Sequence, residues 1–456
     1  MSDQGSTDLV NNVVQFPLNH LNFVEPKELL IGTPIVDEME QVSNRLDMIS
    51  AYKSQFDWEP LRGLERRSSK NPVRGGFVFK SPMKLVNSHS TCQQCLYAFE
   101  VDTYGRGCAH NCVYCYAKAE LTVHGMWNNP YPVPVDINEI RKTFYTVFET
   151  DKRNKWREIM EKRIPIRIGS MSDSFMHMDD KFKVTKEFLR LLDFYNYPFV
   201  VFTRSDLIAK DDYLSLIRPD LASIQFSMSS TNDELNRKIE PGAPSAKRRL
   251  LALEKISKAG YWTTVRINPL FPMRPDGFFT DPEFKWDGPV PKFDFSSFEM
   301  VDEIADAGVP SILTGFGRFS AYSLNQIQKA TGFDLRTMYR QDNQKSKRDY
   351  HFSDREIRYY YNAIKEKCNN RKVQFTTCYI GNGEGHFWKD QDLWSNKKDC
   401  CNIQGRVKAF KTDSRQIDFQ TRLKFTSHKD GLPVDASTLH KPLLAHEGEA
   451  HTPFIP

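Results

Sequence analysis

From about residue 99 to residue 316 the chain alternates between two kinds of segment. Short apolar runs rich in β-branched and aromatic residues lie at Phe99 to Tyr104, Ile164 to Met171, Pro198 to Thr203, Ala222 to Met228, Trp262 to Asn268 and Pro310 to Gly315. Each has the length of a buried strand. Between most of them, apolar positions recur every three or four residues, as on one face of a helix: Lys186 to Leu192, the stretch around Tyr213 to Ile217, Lys247 to Ala259, and Phe298 to Ala307. The pattern predicts six β/α units. Right-handed crossovers would wind them into a parallel sheet curved into an open barrel, so the fold class is α/β, a partial (β/α)6 barrel. Functional groups should then gather at the carboxyl ends of the strands.

Both ends of the chain fall outside this alternation. Residues 1–94 mix polar and helical stretches interrupted by Pro26, Pro34, Pro60 and Pro72, and read as an N-terminal extension. The core spans 95–330. A smaller C-terminal region follows at 331–430, with one further strand at Val373 to Ile380, and 431–456 reads as a polar, proline-containing tail.

Charge changes this picture only locally. The chain has 63 basic and 58 acidic residues, and its net charge of +5 does not by itself imply nucleic acid. Between Leu61 and Ser90, however, Arg62, Arg66, Arg67, Lys70, Arg74, Lys80 and Lys84 face a single acid, Glu65. Such a stripe suits a phosphate backbone, and equally a solvated connector. No apolar run approaches the roughly 20 residues of a membrane span, and the first residues lack the basic and apolar regions of a signal peptide. A cytoplasmic protein with reduced thiols and no membrane partner is expected. Nine cysteines then point to metal ligation or free thiols rather than a disulfide framework.

The candidate chemistry sits in the loop after the first strand, where Cys108, Cys112 and Cys115 have C-x3-C-x2-C spacing. Three thiolates are one short of a closed site. A [4Fe-4S] cubane held by three cysteines keeps its fourth iron open, where S-adenosylmethionine can chelate and be cleaved reductively to a 5′-deoxyadenosyl radical. A zinc ribbon competes, because Cys92-x2-Cys95 and Cys112-x2-Cys115 are separated by sixteen residues. Zinc leaves Cys108 without a role and does not account for Gly105, Gly107, Tyr114 and Tyr116 around the loop.

Four stretches together resemble the radical S-adenosylmethionine (radical SAM) superfamily, and residues 95 to 320 are similar to its spore photoproduct lyase-like branch. They are Cys108 to Ala117; Gly169-Ser-Met-Ser-Asp-Ser-Phe; Phe202-Thr-Arg-Ser-Asp-Leu-Ile; and Phe226-Ser-Met-Ser with Ile239-Glu-Pro-Gly-Ala-Pro-Ser-Ala-Lys-Arg-Arg-Leu. The resemblance implies that Ser172, Asp173, Arg204, Ser227 and Ser229 hold S-adenosylmethionine, with Asn268 near the adenine or ribose. Arg204 stands where the lyase has lysine, and a guanidinium fork keeps the carboxylate-binding role. Tyr114 and Tyr116 match catalytic tyrosines near the adenosyl group. One departure bears on the reaction: Ser170 replaces a cysteine that returns hydrogen to the product radical. A serine O–H is a much poorer hydrogen-atom donor.

The expected function is carbon-centred cleavage or rearrangement at a thymine-type base in DNA, by an enzyme of lyase or isomerase type. Its partners would be DNA or another nucleobase-containing substrate and an electron donor such as flavodoxin or ferredoxin. Radical modification of a peptide or small metabolite is the alternative within enzymes; a zinc-stabilised nucleic-acid-binding protein is the alternative outside them. Cys378, Cys400 and Cys401, with Cys92 or Cys95, offer ligands for an auxiliary cluster or zinc, or are buried small hydrophobes.

Overall fold

A computed structural model describes residues 83–85, 99–123, 127, 132–135, 137–154, 156–273, 295–341, 349–378, 390–396, 399–403 and 405–409. Most of the 1–94 extension with its basic segment, Cys92, Cys95 and the 431–456 tail lie outside the described residues.

One eight-stranded sheet organises the rest. Its strands are β1 (Met83–Leu85), β2 (Phe99–Val101), β3 (Ile166–Ile168), β4 (Phe199–Thr203), β5 (Ala222–Ser227), β6 (Trp262–Leu270), β7 (Ser311–Phe316) and β8 (Gln374–Thr377), adjacent in that order. β2 to β8 are parallel, and β1 pairs antiparallel with β2 at the edge. All six expected β/α strands are present, within about two residues at most ends. Two differences have clear causes. Tyr104 leaves the first strand to form a two-residue ladder, Tyr104–Gly105 with Val133–Pro134, which opens the cysteine loop. The 164–171 run is trimmed to three residues because Gly169, at φ 87°, turns the chain against β4; a Cβ there would lie 2.2 Å from the Phe202 carbonyl oxygen.

Among the described residues the helices of eight or more residues are α1 (Tyr116–Val123), α2 (Ile137–Phe148), α3 (Val184–Phe194), α4 (Ala246–Lys258), α5 (Glu299–Asp306), α6 (Ala321–Thr331) and α7 (Asp354–Asn370). Their starts follow from local chemistry. Ser353 and Glu356 form a reciprocal capping box for α7, and the Ser245 side chain accepts from the Arg248 amide to cap α4. Thr263 meets Ser257 of α4 through their hydroxyls at 2.7 Å, which sets the parity of β6. Trp262, Thr264 and Arg266 therefore face the barrel interior.

The C-terminal region belongs to this sheet. β8 adds a seventh parallel strand beside β7, and the segment after it packs onto the interior face: Trp394, Cys400, Cys401, Ile403 and Val407 form one cluster with Val200, Leu313 and Cys378. Trp394 Nε1 donates to Thr377 Oγ1 at 2.7 Å, Thr376 Oγ1 to the Cys400 carbonyl at 2.6 Å, and the Ala409 amide to the Asp220 carbonyl at 2.9 Å. Burying each large apolar side chain contributes about 1.5–3 kcal/mol, so this plug is a substantial part of the core.

Candidate active site

The cysteine loop runs from the end of the Tyr104–Gly105 ladder into α1. Its turns are closed by the Asn111 amide donating to the Cys108 carbonyl (3.1 Å) and the Cys115 amide to the Cys112 carbonyl (3.3 Å). Residues 239–242 press against it: the Val113 amide donates to Ile239 O at 2.9 Å and the Gly242 amide to His110 O at 3.0 Å. This approach needs glycine, since a Cβ on Gly242 would sit 1.9 Å from the Ala109 carbonyl oxygen. The buried His110 ring then bridges the Gly242 carbonyl (3.1 Å) and Asp173 Oδ2 (3.0 Å).

Asp173, at the carboxyl end of β3, is the hub of this side. Its carboxylate also accepts from Thr203 Oγ1 (2.9 and 3.0 Å) and from the amides of Phe175 (2.8 Å) and Arg204 (2.6 Å). Burial works to raise its pKa, but the His110 imidazole and the amide donors hold it below the ordinary carboxylate range. Asp173 thus fixes the cysteine loop to the turn that carries Arg204.

A charged network lies on the other side of Arg204. Glu240, fully buried, accepts from Arg249 Nη2 at 2.6 Å, from Arg204 Nε at 3.5 Å and from the Tyr114 hydroxyl. The Arg204 guanidinium lies 5.5 Å from the Tyr114 ring centroid, and that ring meets Phe271 edge-on at 5.3 Å. Burial alone would push the Glu240 carboxyl up, yet Arg249, Arg204 and Tyr114 hold it down at about 2. Tyr114 goes the other way, raised well above its ordinary value by burial and by Glu240, and stays a neutral phenol. Ser229 Oγ is 3.4 Å from its hydroxyl.

Tyr116 and Ser170 form a separate group. Tyr116 is 61% exposed and donates through its hydroxyl to the Ser170 carbonyl at 2.8 Å. Ser170 Oγ donates to Glu100 Oε1 at 2.7 Å and accepts from Arg167, which itself pairs with Glu100 at 2.8 Å. Asp102 accepts from the Ser170 and Met171 amides at 2.6 and 3.0 Å and so holds the turn.

The structure brings Cys108, Cys112, Cys115, Tyr114, Tyr116, Asp173, Arg204 and Ser229 to one end of the barrel. Ser172 is there also, with its hydroxyl donating to the Tyr104 carbonyl at 2.5 Å. Ser227 ends β5, its carbonyl accepting from Arg249 Nη1 at 3.2 Å. Asn268 lies in β6 with its amide packed against Gly315, where a Cβ would approach Nδ2 to 2.9 Å. Sequence reasoning did not assign His110, Glu240, Arg249, Asp102, Glu100 or Arg167. Glu240 and Arg249 do stand in the quoted 239–250 stretch, where an acid and a base nine residues apart were the available signal.

The donor set fits an iron–sulfur cluster with three cysteine ligands. None of the three thiols is in a disulfide, and the backbone hydrogen bonds from Asn111 to Cys108 and from Cys115 to Cys112 keep the three residues on one tightly turned loop. Burial pushes Cys108 up to about 12 and Cys112 and Cys115 above their ordinary value, so a cationic cluster is what would favour their thiolates. The Lys118 amide lies 3.4 Å from Cys115 Sγ, a donor suited to a ligating sulfur. The auxiliary metal finds no support: Cys378, Cys400 and Cys401 pack as small apolar side chains in the interior plug. Among the described residues no three His, Cys, Asp or Glu side chains are grouped to hold a single metal ion.

Residues 103–276 match the family model of the radical SAM superfamily. Curated relatives include an uncharacterised protein of Mycobacterium tuberculosis, 25% identical over 226 residues, which are 47% of this chain and 64% of that protein. Another, of Methanocaldococcus jannaschii, is 27% identical over 170 residues, 36% of this chain and 58% of the relative. The chain thus spans less than two thirds of the length of these relatives. Among solved structures, a spore photoproduct lyase variant aligns with TM-score 0.46 at 17% identity, covering 65% of this chain and 79% of that one. Streptococcus suis SuiB bound to precursor peptide SuiA aligns with TM-score 0.31 at 12% identity, over 50% and 44%. Residues 103–276 are thus similar to the radical SAM superfamily, whose family cofactors are a [4Fe-4S] cluster and S-adenosylmethionine. Among the described residues no helix is long and apolar enough to cross a membrane.

Proposed function

We propose that this radical SAM enzyme acts on a thymine-type base in DNA by carbon-centred cleavage or rearrangement. The observation that carries the reading is the position of Arg204, held between Asp173 and Glu240 and against Tyr114 of the cysteine loop. Its Nε edge faces Glu240, and in this reading its Nη edge would fork the methionyl carboxylate of S-adenosylmethionine. Cys108, Cys112 and Cys115 would hold the cluster; Ser172, Asp173, Ser227, Ser229 and Asn268 would frame the remainder of the cofactor. Bound there, cluster and S-adenosylmethionine supply one-electron chemistry that yields a 5′-deoxyadenosyl radical, with flavodoxin or ferredoxin as electron donor.

The chain's own residues do the positioning. Asp173 and His110 keep the cysteine loop against the Arg204 turn, and Tyr114, a neutral donor to Glu240, packs its ring against Arg204. Ser170 has its hydroxyl committed to Glu100 and Arg167. That supports a reaction in which hydrogen returns from 5′-deoxyadenosine or from Tyr116 rather than from this position. The four-stretch resemblance and the 61–90 basic stripe support DNA as substrate.

Anaerobic reconstitution with iron and sulfide, reduction, and a search for 5′-deoxyadenosine test the reading. A thymine-containing oligonucleotide is expected to stimulate its formation and to bind with a salt dependence that flattens when Arg66 and Arg67 are neutralised. Formation that ignores DNA, with salt-independent or absent DNA binding, rejects the substrate; no 5′-deoxyadenosine under any condition rejects the cofactor chemistry.

A further inference from the structure

Lys118 is a buried cation beside the cysteine loop to which the proposed function gives no part. It stands in the first turn of α1, three residues after Cys115, and is 7% exposed. Its backbone amide lies 3.4 Å from Cys115 Sγ, and its ammonium donates to Asn111 Oδ1 at 2.8 Å. Asn111 adjoins Cys112 and takes φ 50°, a left-handed conformation that asparagine tolerates, with its own amide donating to the Cys108 carbonyl at 3.1 Å. The Lys118 side chain therefore reaches back from the helix to the middle of the loop that carries the three thiols.

Its ammonium has no counter-ion in the chain. The Asn111 amide oxygen is neutral, and among the described residues no carboxylate meets the ammonium. Arg204, another cation at this end of the barrel, differs, because Glu240 accepts from it at 3.5 Å. Burial lowers the Lys118 pKa, and the charges that work against burial are those of Cys115 and Cys112. Removing a charge from water is costly without an opposite charge nearby, so an anion held by the loop is the complement. A [4Fe-4S] cluster on three cysteines has that character. Three thiolates outweigh the charge of the oxidised core by one unit, and the electron taken up on reduction adds another.

We propose that the Lys118 ammonium is the counter-charge of the cluster and raises its reduction potential. One electron passes from the reductant to the cluster and no bond changes; a fixed positive charge favours the more negative, reduced state. The Lys118 amide nitrogen and Nζ are at most about 7 Å apart, so the ammonium lies within about 11 Å of Cys115 Sγ. At an effective dielectric of about 20, a unit charge at that distance shifts a one-electron equilibrium about tenfold. The inference rests on Cys108, Cys112 and Cys115 holding a cluster and is independent of the substrate.

The test is a potentiometric titration of the reconstituted full chain with dithionite, without S-adenosylmethionine, followed by the electron paramagnetic resonance of the reduced cluster. Lys118→Gln keeps a donor without the charge, Lys118→Met keeps the length without either, and Lys118→Arg keeps the charge. At any fixed potential the reduced-to-oxidised ratio is expected to fall about tenfold in Lys118→Gln and Lys118→Met, a midpoint about 59 mV lower, and to stay within about twofold of wild type in Lys118→Arg. Neutral variants within about twofold of wild type overturn the proposal, as does a Lys118→Arg protein that falls as far as they do. Neutral variants that take up no iron while Lys118→Arg loads fully support the charge; if none of the three loads, side-chain shape is what matters and the proposal fails. A wild type that takes up no cluster rejects the cofactor reading and this inference with it, whereas a loaded wild type with unchanged variants rejects this inference alone.

Discussion

Replacing Glu240 by alanine is expected to cost about 3–5 kcal/mol of folding stability, because it strands the fully buried guanidinium of Arg249 without its partner. Tyr114 and Arg204 lose an acceptor in the same step. A separate route gives a similar size. A fall in the Glu240 pKa from 4.5 to about 2 corresponds to about 3 kcal/mol at neutral pH. Because the folded value lies below the unfolded one, this contribution is complete above about pH 4.5 and is lost as pH falls toward 2. Glu240→Gln, which keeps the shape and removes the charge, should therefore be destabilised at pH 7 and lose less than wild type on acidification. Urea unfolding of wild type, Glu240→Ala and Glu240→Gln at pH 7 and pH 3 measures both effects. Changing both ends, as Glu240→Leu with Arg249→Leu, should cost less than the two single changes added together. A Glu240→Ala protein within about 1 kcal/mol of wild type at pH 7, with the gap unchanged at pH 3, would refute the account of this network.

Three further outcomes are expected. Alanine at Cys108, Cys112 or Cys115 should remove the reconstituted brown absorbance and abolish reductive cleavage of S-adenosylmethionine; cleavage retained in Cys108→Ala would favour zinc. Arg204→Ala should weaken S-adenosylmethionine binding by about 1.5–3 kcal/mol with the iron content unchanged, and equal affinity in a binding titration would show that its Nη edge meets something else. Ser170→Ala should keep turnover while losing about 1–3 kcal/mol of stability, since Glu100 and Arg167 each lose a partner; complete inactivity with cluster and cofactor still bound would put this hydroxyl in the chemistry.

Strands such as 222–227 and 262–270 were legible because a strand buried on both faces writes a run of β-branched and aromatic residues, and the helices between them kept their period. The Cys108 to Cys115 spacing stood out in the sequence because candidate ligands on one loop lie close together along the chain. Glu240 and Arg249 were not, although both stood in a quoted stretch: their role depends on Tyr114 and Arg204, which only the folded chain brings to them. The same holds for β8. Its apolar run announced a strand, but nothing local says that Gln374–Thr377 pairs with a strand that ended some sixty residues earlier. Cys378, Cys400 and Cys401 had two readings open, and packing around Trp394 and Val407 is consistent with the apolar one.

The plug that closes the barrel has a consequence for synthesis. Cys115 leaves the ribosome roughly 300 residues before Val407, which at 5–20 residues per second means about 15–60 s during which the nascent barrel has no floor. The three thiols proposed to hold a cluster are then carried on a half-built sheet, its last strand not yet made. Delivery of iron and sulfide during that interval would meet an open template, whereas delivery afterwards must pass through the finished mouth. Ribosome-bound chains stalled before and after β8 should accordingly differ in how fast they take up a cluster.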